Sequence, residues 1–328
     1  MSDYARGRGS GSAKLILFGE HAAVHGHPAV GLALPGTTDV SLDLSGRQEW
    51  TFSGVLEDDV SRVASVLSLL ERWFPAIMRR GRGLIRVESS IPEGMGFGSS
   101  AALSVAFVMA GISLLRGRLR YPFRRGLWRL ANQTERLFHG TPSGVDTGLS
   151  LLGGMHAFYP APPGLPRARR IAGPPLYFVV GAVPRQKDTR TLVAELAARV
   201  RSGDVHVVEA LTHLGRLSRL AVRVLVSRDP AAVLQIGRLA EEAQGVLASL
   251  GLSSEHLDEL LQAGRDAGAE GGKLSGAGGG GAFFLVARDE ERARRVAEQV
   301  RTRARQLGLP TVDTIVPVAW LGGGSRAL

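Results

Sequence analysis

Residues 92–102 read PEGMGFGSSAA, and this stretch decides how the rest of the chain is read. Glycines at 94, 96 and 98 let the backbone reach positive φ and approach a ligand closely. Ser99 or Ser100 then stands where a helix cap is wanted, ahead of the apolar run Ala101–Leu115. A glycine loop opening onto a helix N-terminus presents unpaired N–H groups and the positive end of the helix dipole, which favour a phosphate. An ordinary strand-to-helix turn would look the same, so on this stretch alone both readings stay open. The third glycine and the acidic residue are misplaced for a dinucleotide fingerprint, and no GxxxxGK[ST] occurs.

Outward from the loop, the composition bounds the answer. The chain has 328 residues, 44% hydrophobic and 21% charged, which argues for a sizeable core and against disorder. It has no cysteine, so disulfides, thiolate zinc sites and a cysteine nucleophile are excluded. Residues 1–12 are polar, glycine-rich and basic; they read as a loose tail with no signal peptide. Ala101–Leu115, interrupted by Ser104, Gly111 and Ser113, is short for a bilayer span and reads as a buried helix. A cytoplasmic protein with no membrane partner is expected.

The net charge is +10, yet only three of the 40 basic residues are lysines: Lys14, Lys187 and Lys273. Arginine and lysine differ in shape and hydration, so a surviving lysine marks either chance or a place that needs a compact ammonium. Lys14 and Lys273 both lie beside segments that look chemical on other grounds.

Two further glycine-rich segments stand out. Residues 271–281 read GGKLSGAGGGG and run into the apolar strand Ala282–Ala287. Four consecutive glycines are a hinge or a place where something passes close to the backbone. Residues 140–154 read GTPSGVDTGLSLLGG and carry Asp146 just after a turn, as a cap or as a chemical group. On the helix expected at 123–138, Trp128, Ala131, Glu135 and Phe138 share one face. A carboxylate in that apolar stripe needs a cation: a metal, a distant lysine or an arginine.

Helices are also expected at 60–78, 204–227, 229–250, 254–268 and 289–307, with strands at 14–18, 37–44, 84–89, 176–183 and 311–318. Residues 160–175, with six prolines, read as a linker or long hairpin crossing between domains. The fold class is α+β in two domains: 1–170, carrying the phosphate loop, and 171–328.

Together these segments resemble the superfamily of galactokinase, homoserine kinase, mevalonate kinase and phosphomevalonate kinase. AKLILFGEHAAVHG (13–26), PEGMGFGSSAA (92–102) and KLSGAGGGG (273–281) match its three motifs in order. GEHAAVHG (19–26) and HGTPSGVD (139–146) are similar to the mevalonate kinase branch. Two departures are Ser12-Ala13 where Pro-Gly is usual, and Phe97 where leucine is usual.

The resemblance implies a ferredoxin-like C-terminal domain and an active site in the cleft between the domains. It implies that Pro92, Glu93, Gly94, Met95, Gly96, Phe97, Gly98, Ser99, Ser100, Ala101 and Ala102 hold ATP, with Gly276, Ala277 and Gly278 closing over the ligands. It places Mg2+ on Ser100 and Glu135. Asp146 and Lys14 are the expected catalytic pair at the acceptor hydroxyl, and Glu20, His21 and Thr189 are expected to face the substrate, with Lys187 nearby. The implied reaction is transfer of the γ-phosphate of ATP to an alcohol, mevalonate first, with phosphomevalonate or a sugar as the alternative. A homodimer stays open. His25, His139 and His156 read as structural or exposed. A nucleic-acid-binding protein is the rival from another class: the charge favours it, but the arginines lack interleaved aromatics, and no nucleic-acid partner is expected.

Overall fold

The computed structural model describes residues 5–55, 57–75, 81–116, 124–185, 189–227, 229, 231–320 and 325–327. The chain divides into two compact units: Met1–Ala13, Gly36–Ile91 and Gly98–Leu152 form one, and Lys14–Pro35, Pro92–Phe97 and Gly153–Leu328 the other. The units interleave along the chain rather than parting at one boundary near residue 170.

The first unit takes its strands from residues 5–13 of β1 (Ala5–Phe18), residues 36–47 of β2 (Ala29–Arg47), β3 (Thr51–Ser53) and β4 (Arg82–Ser89). Residues 38–47 of β2 pair antiparallel with β4, and β3 pairs parallel with it. Among the described residues its helices include α1 (Glu57–Trp73), α2 (Ser99–Arg116), α3 (Arg124–His139) and α4 (Val145–Leu152). Val40, Leu42 and Ile85 of the strands pack with Val66 and Leu70 of α1, Phe107 of α2 and Leu127 of α3 in one core. Helix α2 is apolar on every side, as a helix enclosed by neighbours should be.

The expected loose tail is a correction. Residues 5–12 are the first part of β1, with glycine at every second place, and those glycines lie directly on α2. A Cβ at Gly7, Gly9 or Gly11 would come 2.2, 2.1 or 2.2 Å from the carbonyl oxygens of Ala110, Ala106 and Ala102. The spacing has a simple cause. Two strand residues rise about 6.6 Å and four helical residues about 6 Å, so glycine at period 2 meets alanine at period 4. Composition suggested slack chain; the alternation of glycine was the signal. Gly9→Ala is therefore expected to destabilise the protein by about 1–3 kcal/mol through overpacking, read as a fall of several degrees in melting temperature. An unchanged melting curve would mean that β1 does not pack there.

In the second unit, residues 29–32 of β2 pair antiparallel with β5 (Met155–Tyr159), which pairs with β6 (Arg167–Ile171). Residues 160–175, expected as a linker or long hairpin, hold the loop and the second strand of the β5–β6 hairpin. A five-stranded sheet runs β11 (Ser325–Ala327), β10 (Val316–Trp320), β7 (Leu176–Val183), β9 (Gly281–Ala287), β8 (Gly271–Leu274). Its helices are α5 (Thr189–Arg201), α6 (Val205–Ser227), α7 (Ala232–Ser249), α8 (Glu255–Asp266) and α9 (Glu290–Gln306). Every residue of β9 is buried, and Phe178 and Phe284 meet edge to face at 5.9 Å. Among the described residues no helix is long and apolar enough to cross a membrane.

Candidate active site

In the first unit, α2 starts at Ser99 directly after Gly98, which has φ 80°. The first turn of any helix leaves backbone N–H groups without intrahelical acceptors. Here that turn carries no acidic side chain to compete for them. Ser100 Oγ donates to Glu135 Oε1 at 2.8 Å, and Ser104 Oγ donates to Glu135 Oε2 at 3.0 Å. Glu135 is only 1% exposed. Two hydroxyls one helical turn apart on α2 thus hold a carboxylate presented by α3, which offsets its burial. Ser104 was not expected in this role; its signal was a hydroxyl one helical turn after Ser100 inside an apolar helix. The oxygen donors of Ser100 and Glu135 suit a hard cation such as magnesium. Among the described residues no three His, Asp or Glu gather to hold a metal, so such an ion would keep ligands from phosphate and water.

Helix α3 also fixes the turn before Asp146. Trp128 Nε1 donates to Gly144 O at 2.9 Å and Thr147 Oγ1 at 3.2 Å. Thr147 Oγ1 donates to Asn132 Oδ1 at 3.2 Å, and Asn132 Nδ2 reaches Pro142 O at 3.4 Å. Val145 N–H donates to Ser143 Oγ at 3.3 Å, opening α4. Trp128, Asn132 and Glu135 occupy i, i+4 and i+7 of one helix. One face of α3 therefore braces the Asp146 turn and presents the Glu135 carboxylate. Asp146 itself is partly exposed in the first turn of α4.

In the second unit, Lys14 is buried, and its backbone N–H donates to Phe97 O at 2.9 Å, tying the first motif to the loop 92–97. Gly96, with φ 88°, has no room for a side chain: a Cβ would lie 2.9 Å from Ala282 N and 3.0 Å from Arg185 Nη2. A Cβ at Gly281 would lie 2.9 Å from Arg185 Nε. The Arg185 guanidinium is thus packed against both glycine segments of this unit. Sequence reading missed it, because one arginine among 37 carries no mark of its own.

The run 276–281 is built into the unit rather than hinged. Gly278, at φ 87°, would carry a Cβ only 2.4 Å from Leu252 O, and Gly279 N–H donates to that same oxygen at 2.8 Å. His21 Nε2 donates to Ala277 O at 3.1 Å, with His21 at φ 57°. Desolvation, outweighing that hydrogen bond, lowers the His21 pKa to about 4. The unfolded chain therefore binds a proton that the folded one does not between that value and the ordinary imidazole range. Stability from this group is lost as pH falls through that window.

Glu20, expected at the substrate, turns its carboxylate onto Lys273 Nζ, and both side chains are buried. Lys273 also donates to Leu274 O at 2.5 Å and lies 5.5 Å from the Phe284 ring centroid. Burial pushes the Lys273 ammonium well below its ordinary pKa. Both described lysines, 14 and 273, are buried. Lys187 lies outside the described residues, as does the Thr189 side chain.

Family models match both halves of the chain: the GHMP kinases N terminal domain over residues 61–154 and GHMP kinases C terminal over 231–306. The chain is similar to the mevalonate kinase of Thermococcus onnurineus, 30% identical over 306 residues, covering 86% of this chain and 89% of that one. It is 30% identical over 330 residues to the mevalonate kinase of Pyrococcus furiosus, covering 93% and 95%. Among solved structures, the L. major mevalonate kinase in complex with R-mevalonate superimposes with a TM-score of 0.79 at 22% identity, covering 99% of this chain and all of that one. The Methanococcus jannaschii mevalonate kinase gives 0.74 at 20% identity, with 98% of each chain covered.

Proposed function

The chain belongs to the mevalonate kinase family of the GHMP kinases, and from that premise we propose that it transfers the γ-phosphoryl group of ATP to the 5-hydroxyl of mevalonate. The observation that carries the reading is the bond from Ser100, at the start of a helix that follows a glycine loop, to the buried Glu135 carboxylate. Phosphoryl transfer asks mainly for positioning and charge neutralisation, and this pair offers the oxygen ligands such chemistry uses.

Backbone N–H groups of residues 94–101 bind the phosphates of ATP. The Arg185 guanidinium adds a fixed cation for phosphate oxygens. Ser100 and Glu135 would hold Mg2+, which would supply positive charge to offset that of the phosphate oxygens. Asp146 accepts the proton of the acceptor hydroxyl as its oxygen bonds to the γ-phosphorus and ADP leaves. Lys14 steadies the charge near that hydroxyl, and His21 contacts the acceptor. The product, phosphorylated at the 5-oxygen, serves isoprenoid and hence lipid synthesis in the cytoplasm.

The test is a panel of alcohols with purified protein, ATP and Mg2+, following ADP release. Mevalonate is expected to give the highest kcat/KM. Turnover of phosphomevalonate, homoserine or galactose without turnover of mevalonate would replace the substrate while leaving the kinase reading in place.

A further inference from the structure

Three bonds join residues 16–21 to residues 273–277. Ile16 N–H donates to Ser275 Oγ at 2.9 Å, the Glu20 carboxylate pairs with Lys273 Nζ, and His21 Nε2 donates to Ala277 O at 3.1 Å. The middle bond is the only ion pair of the three, and both of its side chains are buried. We propose that Glu20 and Lys273 form a positioning clasp, holding the turn that carries His21 against the third glycine segment and so setting where His21 stands toward the acceptor.

The two ends of the clasp are anchored unequally. Lys273 sits on β8, hydrogen-bonded to β9. The next residue is fixed from another side: Leu274 N–H donates to the buried Gln244 Oε1 at 3.0 Å. Gln244 Nε2 in turn donates to Ser253 Oγ at 2.9 Å and Asp258 Oδ1 at 3.1 Å. Glu20 belongs to a tight turn, with His21 in the left-handed region just before a single 3-10 turn, Ala22–His25. A non-glycine residue there is held by its surroundings rather than by its own preference. The anchored partner is Lys273, and the turn is what the clasp restrains.

A buried ion pair is a weak source of stability but a directional one. The choice of lysine supports this role. In a chain with 37 arginines, the ammonium at 273 fits among the Glu20 carboxylate, the Leu274 carbonyl and the Phe284 ring. A planar guanidinium with five donors would not. Glu20 is accordingly a positioning residue rather than a ligand of the substrate.

The step from clasp to acceptor rests on the kinase reading; the clasp itself does not, and the experiment separates them. The protein labelled at histidine 13Cε1 is titrated by NMR, with the His21 resonance assigned by its loss in His21→Gln. His21 is expected to titrate near its lowered value of about 4 in the parent. In the double variant Glu20→Gln/Lys273→Met, which leaves no unpaired charge, its midpoint should rise by at least about one unit toward the ordinary ~6.5. In the same variant kcat/KM for mevalonate should fall at least tenfold, with KM for ATP changed less than threefold. Glu20→Gln alone is the second variant. A His21 midpoint unmoved in either variant that keeps its fold overturns the clasp, whatever the activity. Loss of the fold in both overturns it as well, since the pair would then be a general core element. A moved midpoint with no change in kcat/KM keeps the clasp and removes its role at the acceptor. A parent protein that turns over no mevalonate sinks the kinase reading, while the NMR arm still decides the clasp.

Discussion

Asp146→Asn should lose about 10²–10⁴ of kcat, the range ascribed to a positioned acid–base group, while the melting temperature and KM for ATP stay close to the parent values. The fold should survive because bonds from neighbouring residues hold the turn. Trp128 binds the carbonyl of Gly144, Asn132 binds Thr147 and Pro142, and Ser143 takes the N–H of Val145. Asparagine matches aspartate in size, and the side chain is partly open to solvent. What changes is the ability to accept a proton and hold negative charge beside the acceptor hydroxyl. The measurement is steady-state ADP release with mevalonate and ATP, beside a thermal melt. Turnover within threefold of the parent would remove Asp146 from the mechanism, and a collapsed melt would assign it to the turn instead.

Glu135→Gln carries the second large expected effect, a shift of at least about tenfold in the Mg2+ concentration giving half-maximal rate at saturating ATP. Glutamine can keep both local contacts. Its carbonyl oxygen accepts from one serine hydroxyl, and its amide donates to the other once that hydroxyl rotates. Charge is lost while shape is kept. Ser104→Ala is the companion variant: it removes the 3.0 Å bond to Oε2 and leaves Ser100 in place, so a smaller shift is expected. Rates plotted against free Mg2+ decide the matter, and superimposable curves for parent and Glu135→Gln would show that the carboxylate holds no metal.

Strong periodicity and glycine chemistry were what could be read in advance. The strand at 176–183 falls where it was expected, and the helices near 205–227, 232–249 and 290–306 differ from expectation by only a few residues at their ends. The strand expected at 311–318 begins only at Val316, because Thr314 Oγ1 bonds back to Thr311 O and closes a turn at 312–314. That Glu135 is buried and needs a partner was legible from the apolar face of its helix; that Ser100 stands beside it came only from the resemblance, which put both at a metal. The braces from Trp128, Asn132 and Thr147 were not, since tryptophan, asparagine and threonine on helices are ordinary and their bonding depends on tertiary placement. Arg185 and the Glu20–Lys273 pair were hidden for the same reason: pairing across 253 positions leaves no local pattern.

The glycine ladder of β1 bears on how this protein is handled at the bench. Trimming the first dozen residues as dispensable would bare the side of α2 at 102, 106 and 110, together with apolar atoms of Met109 and Leu114, and leave it wet. Such a shortened form is set up to stick to itself, so a purification handle is better joined ahead of an intact residue 1 than spliced in its place.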